Sequence, residues 1–317
     1  MSRIDRRAFC VGATTAALGL AAGPPGVKLG PGAELGGARP MPASDPWNQD
    51  VSRSAVDPRS DILIKSIGLD KGLHPDFGSV YDGRPIGIPY VVVPGTQPRV
   101  PVRFETAHES DPGPYPIPPD APIEGGPNPP EGGDRHVLVL DRDAWKLYEL
   151  FAAFREGNGW RAGSGAIFDL TRNTTRPAGW TSADAAGLPI FPGLVRHDEA
   201  VGAGVIRHAL RFTCPRVRRA YVAPARHWVH NLADPDLPLM GMRVRLKKAF
   251  DVSKFPPVAR VVLEALKAHG MLLADIGGPW FISGAPDSRW DDDALSSLRR
   301  VKGRDLEVVK MGRIVTG

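Results

Sequence analysis

The sequence predicts a mainly β protein, a single domain resembling a β-sandwich or jelly roll with a few peripheral helices. The chain of 317 residues contains 36 glycines and 33 prolines, and these residues separate short strands more often than they accompany long helices. Short apolar runs bounded by turn residues recur after residue 134, which is typical of a β-rich fold. Hydrophobic residues at 42% and charged residues at 24% indicate a folded chain and exclude a membrane protein.

The N-terminus matches an export signal. Arg6 and Arg7 precede Phe9, and a weakly hydrophobic run over 11–22 follows. A basic region, a short apolar region and small residues before a cleavage site are the parts of a twin-arginine signal peptide. An apolar run of about 12 residues is shorter than the roughly 20 that cross a bilayer. We therefore predict export by the twin-arginine route to the periplasm or the extracellular space, with no integral membrane segment after the signal is removed.

The predicted mature protein is one β-rich domain over 45–317, preceded by a signal peptide and spacer over 1–44. Cleavage is expected between Ala22 and Ser44, because this stretch is rich in Gly, Pro and Ala and has no periodicity. Five basic and two acidic residues lie in 1–44, so the net charge of the rest is only +2 and does not indicate a nucleic-acid partner. Only Cys214 remains, which excludes an intrachain disulfide.

The first elements of the domain are one helix and two strands. Residues 60–67 form a predicted helix that Ser60 caps and Gly68 ends. Residues 88–93 and 100–104 are predicted edge strands, because proline is tolerated at a sheet edge. The proline-rich stretch that follows, 110–130, is predicted to be a long loop packed on the body through Tyr115 and Ile117, or else a linker.

Strands dominate the middle of the chain and helices enter near its end. A hairpin is predicted over 136–154, although its second half, 146–154, also has a helical reading. Further strands are predicted at 165–170, 205–213, 220–223, 242–250, 271–274, 280–283 and 306–310. Apolar residues at helical spacing predict a helix over 257–269 that Gly270 ends. A second helix is predicted over 291–299, with acidic residues in its first turn and arginines at its end.

A row of basic residues is the first candidate for ligand binding. On the strand after Met242, alternation places Arg243, Arg245 and Lys247 on one face. Arg211 lies on a neighbouring predicted strand. Guanidinium groups bind carboxylates and sulfates of an acidic glycan in a bidentate manner. The alternative is an ordinary solvated face.

Histidines and carboxylates are the candidates for proton transfer. His136, His208 and His227 lie in or beside predicted strands, and imidazole transfers protons near neutral pH. Asp184, and the adjacent Asp198 and Glu199, lie in turn-rich segments and would form a carboxylate pair if they shared a cleft. Each has a structural alternative: a satisfied core histidine, a turn cap or a solvated turn. His227 and His230 alone are a weak metal signal, since zinc needs three or four ligands.

Tryptophans near turns suggest carbohydrate. Trp228 follows His227, and the other tryptophans considered are Trp145, Trp160, Trp180, Trp280 and Trp290. Sugar rings stack on exposed indoles, although half of these tryptophans are expected to be core. The chain has no P-loop, Rossmann glycine pattern, nucleophile elbow, His-Glu-x-x-His or Cys-x-x-Cys motif.

Several segments resemble a widespread family of uncharacterised secreted bacterial and fungal proteins. They are DPGPYPIP (111–118), DRHVLVLD (134–141), AGSGAIFDL (162–170), GWTSADAAGLP (179–189), the run 198–212, PARH (224–227) and Gly241 with Arg243 and Arg245. The resemblance covers nearly the whole predicted mature chain. It implies secretion and, in some relatives, an association with carbohydrate-binding modules, but no assigned activity.

These observations predict a secreted protein that acts on polysaccharide, as a glycoside hydrolase or a polysaccharide lyase. The predicted catalytic residues are Asp184, Asp198, Glu199, His208 and His227, and the predicted substrate-binding residues are Arg211, Trp228, Arg243 and Arg245. No residue is assigned to a metal, and the sequence does not identify a cofactor. A non-catalytic glycan-binding or cell-surface protein is the first alternative. A metal-binding protein folded before export is the second.

Overall fold

The computed structural model describes residues 23–126 and 132–317. The predicted signal sequence up to Ala22 lies outside the described residues. Strands account for 26% and helices for 17% of the structure, so the protein is mainly β with few helices. The sheets are open and contain parallel as well as antiparallel pairs. The finer prediction of a sandwich or jelly roll is therefore not confirmed and stays a prediction.

The strands are short, as the glycine and proline content predicts. They are β1 (Gly30–Pro31), β2 (His74–Asp76), β3 (Tyr90–Val93), β4 (Val102–Phe104), β5 (Val137–Asp141), β6 (Lys146–Phe151), β7 (Phe154–Glu156), β8 (Gly159–Ala162), β9 (Ser164–Asp169), β10 (Leu210–Cys214), β11 (Ala220–Val222), β12 (Arg243–Leu246), β13 (Met271–Ile276), β14 (Phe281–Ser283), β15 (Leu306–Val308) and β16 (Ile314–Thr316).

The helices are α1 (Ser60–Ile67), α2 (Pro257–Ala268) and α3 (Asp292–Ser296). Short 3-10 turns lie at Pro46–Asn48, Ala107–Glu109, Phe191–Gly193, Ser297–Arg300 and Gly303–Asp305, and a π-helix lies at Asp198–Ala203. The prediction of α2 is confirmed at both ends. Its apolar stripe packs into the main core through Val262 and Leu266, and the left-handed Gly270 follows it.

A five-stranded sheet in the order β1-β3-β5-β6-β9 is buried on both faces. In β5, Leu138 and Leu140 face the main core, whereas Val137 and Val139 face a second core. Continuous apolar strands are typical of a sheet covered on both sides. The second core includes Tyr115 and the loop after it, which confirms the predicted packing of the proline-rich loop for its described part.

A six-stranded sheet in the order β15-β12-β13-β10-β14-β2 carries the other half of the main core. β10 pairs parallel with β13 and antiparallel with β14, and β14 pairs parallel with β2. A three-stranded sheet in the order β4-β8-β7 and the pair β11-β16 complete the fold. Residues 146–151 form β6, so the strand reading of this segment is confirmed and its helical alternative is wrong.

Two local predictions near the N-terminus are wrong. Ser60 does not cap α1: the capping position belongs to Arg59, and the Ser60 hydroxyl accepts a hydrogen bond from the backbone N–H of Val308. The predicted edge strand at 88–93 is an interior strand, because β3 begins after Pro89 and pairs on both sides with β1 and β5. The missing proline N–H therefore costs no ladder hydrogen bond.

The predicted spacer packs against the body of the protein. Val27, Leu35 and Met41 are buried in the main core, and β1 adds a strand to the five-stranded sheet. The backbone N–H of Leu35 donates to Asp198 Oδ2 at 2.8 Å. Among the described residues, no helix has the length and apolar character that crossing a membrane requires.

Candidate functional site

One face of the six-stranded sheet carries a row of polar side chains. Asp76 at the end of β2 pairs with Ser283 at the end of β14. Arg211 on β10 donates to the Ser283 hydroxyl at 2.7 Å and to Asp275 Oδ2 at 2.9 Å. Asp275 lies on β13, beside Thr213. Alternation along each strand therefore brings side chains from four adjacent strands to one place.

Arg211 is the centre of this row. Its guanidinium binds the carboxylate of Asp184 with two hydrogen bonds, from Nε at 2.9 Å and from Nη2 at 2.8 Å. Burial disfavours the charged guanidinium, but Asp184 and Asp275 together raise the pKa of Arg211. Asp184 is buried in a loop before the 3-10 turn at Phe191–Gly193. The predicted residues Asp184 and Arg211 thus meet as a bidentate pair.

A second group faces this row from the segment that leads into β5. Nδ1 of His136 lies 2.5 Å from Glu124 Oε2, and Nε2 lies 3.0 Å from the carbonyl oxygen of Ala183. Burial opposes protonation of His136, yet the Glu124 carboxylate outweighs it and raises the pKa of His136 to about 9. His136 is therefore an imidazolium that donates from both nitrogens. Asp134 lies beside the pair and is exposed.

We call these seven residues the acidic cleft: Asp76, Glu124, Asp134, His136, Asp184, Arg211 and Asp275. Asp76 and Asp134 are exposed. The side chains of Glu124 and Asp275 are 24% and 22% exposed. The other three are buried. The carboxylates at the mouth of the cleft are thus open to solvent, whereas both cations lie below them.

The carboxyl groups of the cleft differ in proton affinity. Protein atoms packed around the Asp76 carboxyl remove part of its solvent, although the residue reaches the surface, and this desolvation together with the charges of Glu124 and Asp134 raises its pKa. Burial and the Asp184 carboxylate raise the pKa of Asp275 to about 7. Burial alone would raise the pKa of Glu124, but His136 lowers it. Neighbouring carboxyls with separated pKa values are the usual arrangement of a general acid and a base.

A groove of about 1260 Å³ is lined by chain neighbours of the acidic cleft, although none of the seven residues lines it. Ser79, Ile123 and Arg135 line it, and each lies within three residues of a member of the cleft in the chain. Most of the remaining lining is apolar, with Tyr90, Phe154 and several prolines. The volume exceeds that of a pocket for one small ligand and accommodates an extended one.

Glu124, Asp134 and His136 bring their ligand atoms within 4.8 Å of one another, which makes them the one candidate metal group in the described ranges. Both nitrogens of His136 already donate hydrogen bonds, to Glu124 and to Ala183. A metal needs an unprotonated nitrogen. Binding an ion here would therefore break the contact between His136 and Glu124.

Comparison with known proteins adds no relative. No family model matches the chain, and no curated protein and no solved structure is detectably similar to it. The resemblance to secreted bacterial and fungal proteins therefore stays a prediction, and the argument for function rests on the site itself.

Three other predicted catalytic residues form a separate cluster. Glu199 lies 2.9 Å from Nε2 of His208, and Arg196 donates to Glu199 at 2.7 Å. Asp198 and Glu199 begin the π-helix, and Asp198 holds the N-terminal segment at Leu35. The cluster encloses a cavity of about 80 Å³, which holds two or three waters at about 30 Å³ each. This volume does not admit a sugar chain.

His227 and Trp228 lie together on the far side of the Asp184 loop. Nδ1 of His227 is 2.8 Å from the carbonyl oxygen of Ala185. The Trp228 ring stacks on Tyr221, with centroids 5.7 Å apart. Both predicted residues are half-buried. Neither residue forms a hydrogen bond or a ring contact with a member of the acidic cleft in the described ranges.

Arg243 and Arg245 lie on one face of β12 as predicted, but the N-terminal segment covers this face. Arg243 donates to the carbonyl oxygens of Pro46 and His269, and burial lowers its pKa to about 10. Arg245 binds Glu307 at 2.8 Å and the carbonyl oxygen of Val51. Neither guanidinium is left open to a substrate, and neither belongs to a solvated face.

Asp76, Glu124, Asp134 and Asp275 belong to the site but are not among the residues that the sequence predicts. Asp275 follows the apolar run of β13 directly, and a carboxylate at the end of a buried strand is a signal that was available. Asp134 lies in the same segment as His136, which is one of the candidate histidines. Asp76 and Glu124 stand in turn-rich segments without any local signal, and only the sheet pairing brings them together.

Among the tryptophans, Trp145, Trp160, Trp280 and Trp290 are core residues, and Trp180 and Trp228 are half-buried. The sequence predicts half of these six tryptophans to be core, and four of them are.

Proposed function

We propose that this protein is an exported glycoside hydrolase that cleaves a polysaccharide in the acidic cleft. The observation that carries the proposal is the interaction of the Asp76 and Glu124 carboxyl groups, which come from two different parts of the fold. Ile123, next to Glu124 in the chain, lines a groove of about 1260 Å³. Asp76 is the proposed general acid and Glu124 the proposed base or nucleophile. The twin-arginine signal, the resemblance to secreted proteins and a sandwich-like fold belong to the same proposal.

In the proposed reaction, Asp76 donates its proton to the glycosidic oxygen as the bond to the anomeric carbon breaks. The pKa of Asp76 is raised and that of Glu124 is lowered, and both shifts are in the direction that suits an acid beside a base. Glu124 either takes a proton from the attacking water or attacks the anomeric carbon itself, depending on its separation from the acid. The net change is addition of one water across the glycosidic bond, and Asp76 regains its proton.

The remaining residues of the cleft position this pair. His136 holds Glu124 ionised through the contact of 2.5 Å. Arg211 fixes Asp184 and Asp275 below the reacting groups. Electrostatic groups that are already oriented before the reaction stabilise developing charge at little reorganisation cost. This support favours an enzyme over a binding module, because a binding module does not need carboxyl groups with different pKa values.

A hydrolase is favoured over a lyase. Lyase action on a uronate needs a cation that neutralises the substrate carboxylate. Arg211 already binds Asp184, Asp275 and Ser283, and His136 donates to Glu124 and Ala183. Neither cation of the cleft is therefore available for a uronate.

Mass spectrometry of the products formed from a panel of neutral, cationic and acidic polysaccharides tests the proposal. We expect saturated oligosaccharides, and a fall in kcat of about 10²- to 10⁴-fold in Asp76→Asn and in Glu124→Gln, since a general acid or base contributes about that factor. Asp61→Asn, an exposed carboxylate on α1, is the matched control and should leave kcat unchanged. Unsaturated products, no cleavage by the folded protein, or full activity in both variants would contradict the proposal.

A further inference from the structure

The groove of about 1260 Å³ is a binding site in its own right, because it shares no lining residue with the acidic cleft. Its walls come from the N-terminal segment, the loop between β2 and β3, the proline-rich loop, β7 and the turn after β14. A pocket for a drug-sized ligand measures roughly 300–1,000 Å³. The groove therefore has room for a ligand with a long body.

Most of the groove is apolar and offers few hydrogen-bond donors. Six prolines line it, and proline has no backbone N–H. Val80 in its wall is 55% exposed, and the Ser79 hydroxyl already donates to Asp292. A hydroxyl buried without a partner costs free energy, so the many hydroxyls of a sugar chain are poorly matched here. An apolar ligand that covers Val80 and the prolines removes their surface from water, which is favourable.

The charged residues of the groove favour an anion. Three arginines and two aspartates line it, so its lining carries one net positive charge. Arg289 and Asp287 bind each other through contacts of 2.8 and 2.6 Å, and Asp120 is exposed. Within the described ranges, Arg135 and Arg155 form no ion pair and donate only to backbone carbonyl oxygens. Both guanidinium groups are therefore available to a ligand.

Arg135 is fixed in place although no carboxylate neutralises it. Its Nε donates to the carbonyl oxygen of Ala153 at 2.9 Å, and its guanidinium carbon lies 4.2 Å from the centre of the Phe154 ring. Partial burial lowers the pKa of Arg135, and no carboxylate opposes this shift.

The backbone of Arg135 is left-handed, with a φ of 52°. This conformation is uncommon for a residue other than glycine, and such strain is concentrated at ligand-binding and active sites. The two terminal nitrogens of Arg135 have no hydrogen-bond partner among the described residues. They can therefore bind one carboxylate with two parallel hydrogen bonds.

We propose that the groove binds an amphiphilic carboxylate of the fatty-acid class, with its carboxylate on Arg135 and its apolar body along Val80 and the prolines. Arg155 supplies a second positive charge. An acidic sugar chain would satisfy Arg135 but leave its hydroxyls without partners, and a neutral lipid would leave Arg135 unpaired. Because the site shares no residue with the acidic cleft, the proposal does not depend on the hydrolase function.

Three ligands of one chain length separate charge from apolar contact. Binding of decanoate, decanol and decylamine, each below its solubility limit and micelle concentration, is measured at neutral pH by isothermal titration calorimetry. We expect decanoate to bind about tenfold or more tightly than decanol, because hydrogen bonds between charged groups are stronger than neutral ones. Decylamine should bind more weakly than either. An oligomer of galacturonate, which has carboxylates but no apolar body, should bind more weakly than decanoate.

Variants assign the two kinds of contact. Arg135→Gln should raise the Kd of decanoate about three- to tenfold and leave that of decanol unchanged, so that decanol reports an intact groove. Val80→Ser should raise both Kd values by a similar factor, because both ligands lose the same apolar contact. Arg172→Gln is the matched control, since Arg172 is exposed, pairs with Asp169 and does not line the groove. It should change neither Kd.

Each of four results would overturn the proposal. The first is an equal Kd for decanoate and decanol, and the second is unchanged binding of decanoate by Arg135→Gln. The third is no binding of decanoate by the folded protein. The fourth is tighter binding of the galacturonate oligomer than of decanoate, weakened by Arg135→Gln, which would assign the groove to an acidic glycan instead.

Discussion

At the scale of single residues, Arg211 holds the acidic cleft together. From its position on β10, its donors reach Asp275 on β13, Ser283 on β14 and the Asp184 loop. A guanidinium forms such a set because its planar fork presents five donors in a fixed geometry. Breaking one partner of a buried ion pair leaves the other charge uncompensated, which costs more than the pair itself contributes.

Replacement of Arg211 by lysine therefore tests the cleft as a structure. An ammonium cannot make the two parallel bonds to Asp184, so Arg211→Lys should lower the free energy of unfolding by about 2–4 kcal/mol. Arg172→Lys is the matched control, because Arg172 is exposed and pairs with Asp169 at the surface, and it should change stability by less than about 0.5 kcal/mol. Urea denaturation followed by tryptophan fluorescence measures both. Equal midpoints for the two variants would show that the Asp184 pair is not what holds the cleft.

Single residues also mark where sequence reasoning fails. Asp198, Glu199 and His208 line one cavity of about 80 Å³, where His208 binds Glu199 and Asp198 accepts from the Leu35 N–H. Asp184 and Arg211 were both candidates, yet no pattern indicated that they pair with each other. Which charges neutralise each other depends on contacts between residues far apart in sequence.

At the scale of elements, the N-terminal segment is part of the fold. It contributes β1 to the five-stranded sheet and places Val27, Leu35 and Met41 in the main core. Segments 46–51 continue this role by covering the arginines of β12. A composition of Gly, Pro and Ala without periodicity suggests a spacer. The segment nevertheless packs on the body, because local turns position its apolar side chains without a helical or strand repeat in the sequence.

This packing predicts where the proposed export signal is cleaved. Burying three large apolar side chains contributes about 5 kcal/mol or more, at roughly 1.5–3 kcal/mol each, so removal of this segment would cost the mature protein much of its stability. We expect N-terminal sequencing of the exported protein to find its first residue before Val27.

Two truncated forms test the same point directly. A chain that starts at Gly26 should unfold at the same urea concentration as the exported protein, and a chain that starts at Asp45 should be strongly destabilised or insoluble. An exported protein that begins near Asp45 and is fully stable would show that the packing of the segment contributes little.

At the scale of the whole molecule, buried titratable groups link stability to pH. Burial raises the pKa of Glu149 from 4.5 in the unfolded chain to about 7, although hydrogen bonds from the Phe191 and Ile190 N–H groups oppose this rise. The pKa of Asp275 rises from 3.8 to about 7, and the pKa of His136 rises from 6.5 to about 9. In each case the folded protein binds more protons than the unfolded chain between the two values. Stability is therefore lost as the pH rises through these windows.

We expect the free energy of unfolding to fall between about pH 6.5 and pH 9, above the range in which the lowered pKa values of His74 and His269 act in the opposite direction. The lowered pKa values of Glu124 and Glu199 change the free energy of unfolding only below this pH range, because the pKa of each group in the unfolded chain is 4.5. Urea midpoints measured at each pH give the slope. Glu149→Gln should flatten the curve between about pH 5 and 7 and leave the part above pH 7 unchanged. A curve that rises with pH would contradict these assignments.

The sequence by itself determined the features that are written locally. The strand content, the ends of α2 and the packing of Tyr115 follow from periodicity, turn residues and apolar character, which act over a few neighbouring residues. Gly270 after α2 is an example, because a left-handed residue ends a helix wherever it stands.

Only the tertiary structure determined which residues come together in the site. Asp76, Glu124 and Asp275 stand up to 199 positions apart in the chain, and they meet because β2, β14, β10 and β13 pair in one sheet while β5 begins opposite them. Strand order and register depend on the packing of two sheets against a shared core, to which every part of the chain contributes. The proton affinities of the cleft then follow from burial and neighbouring charge, neither of which exists before the chain is folded.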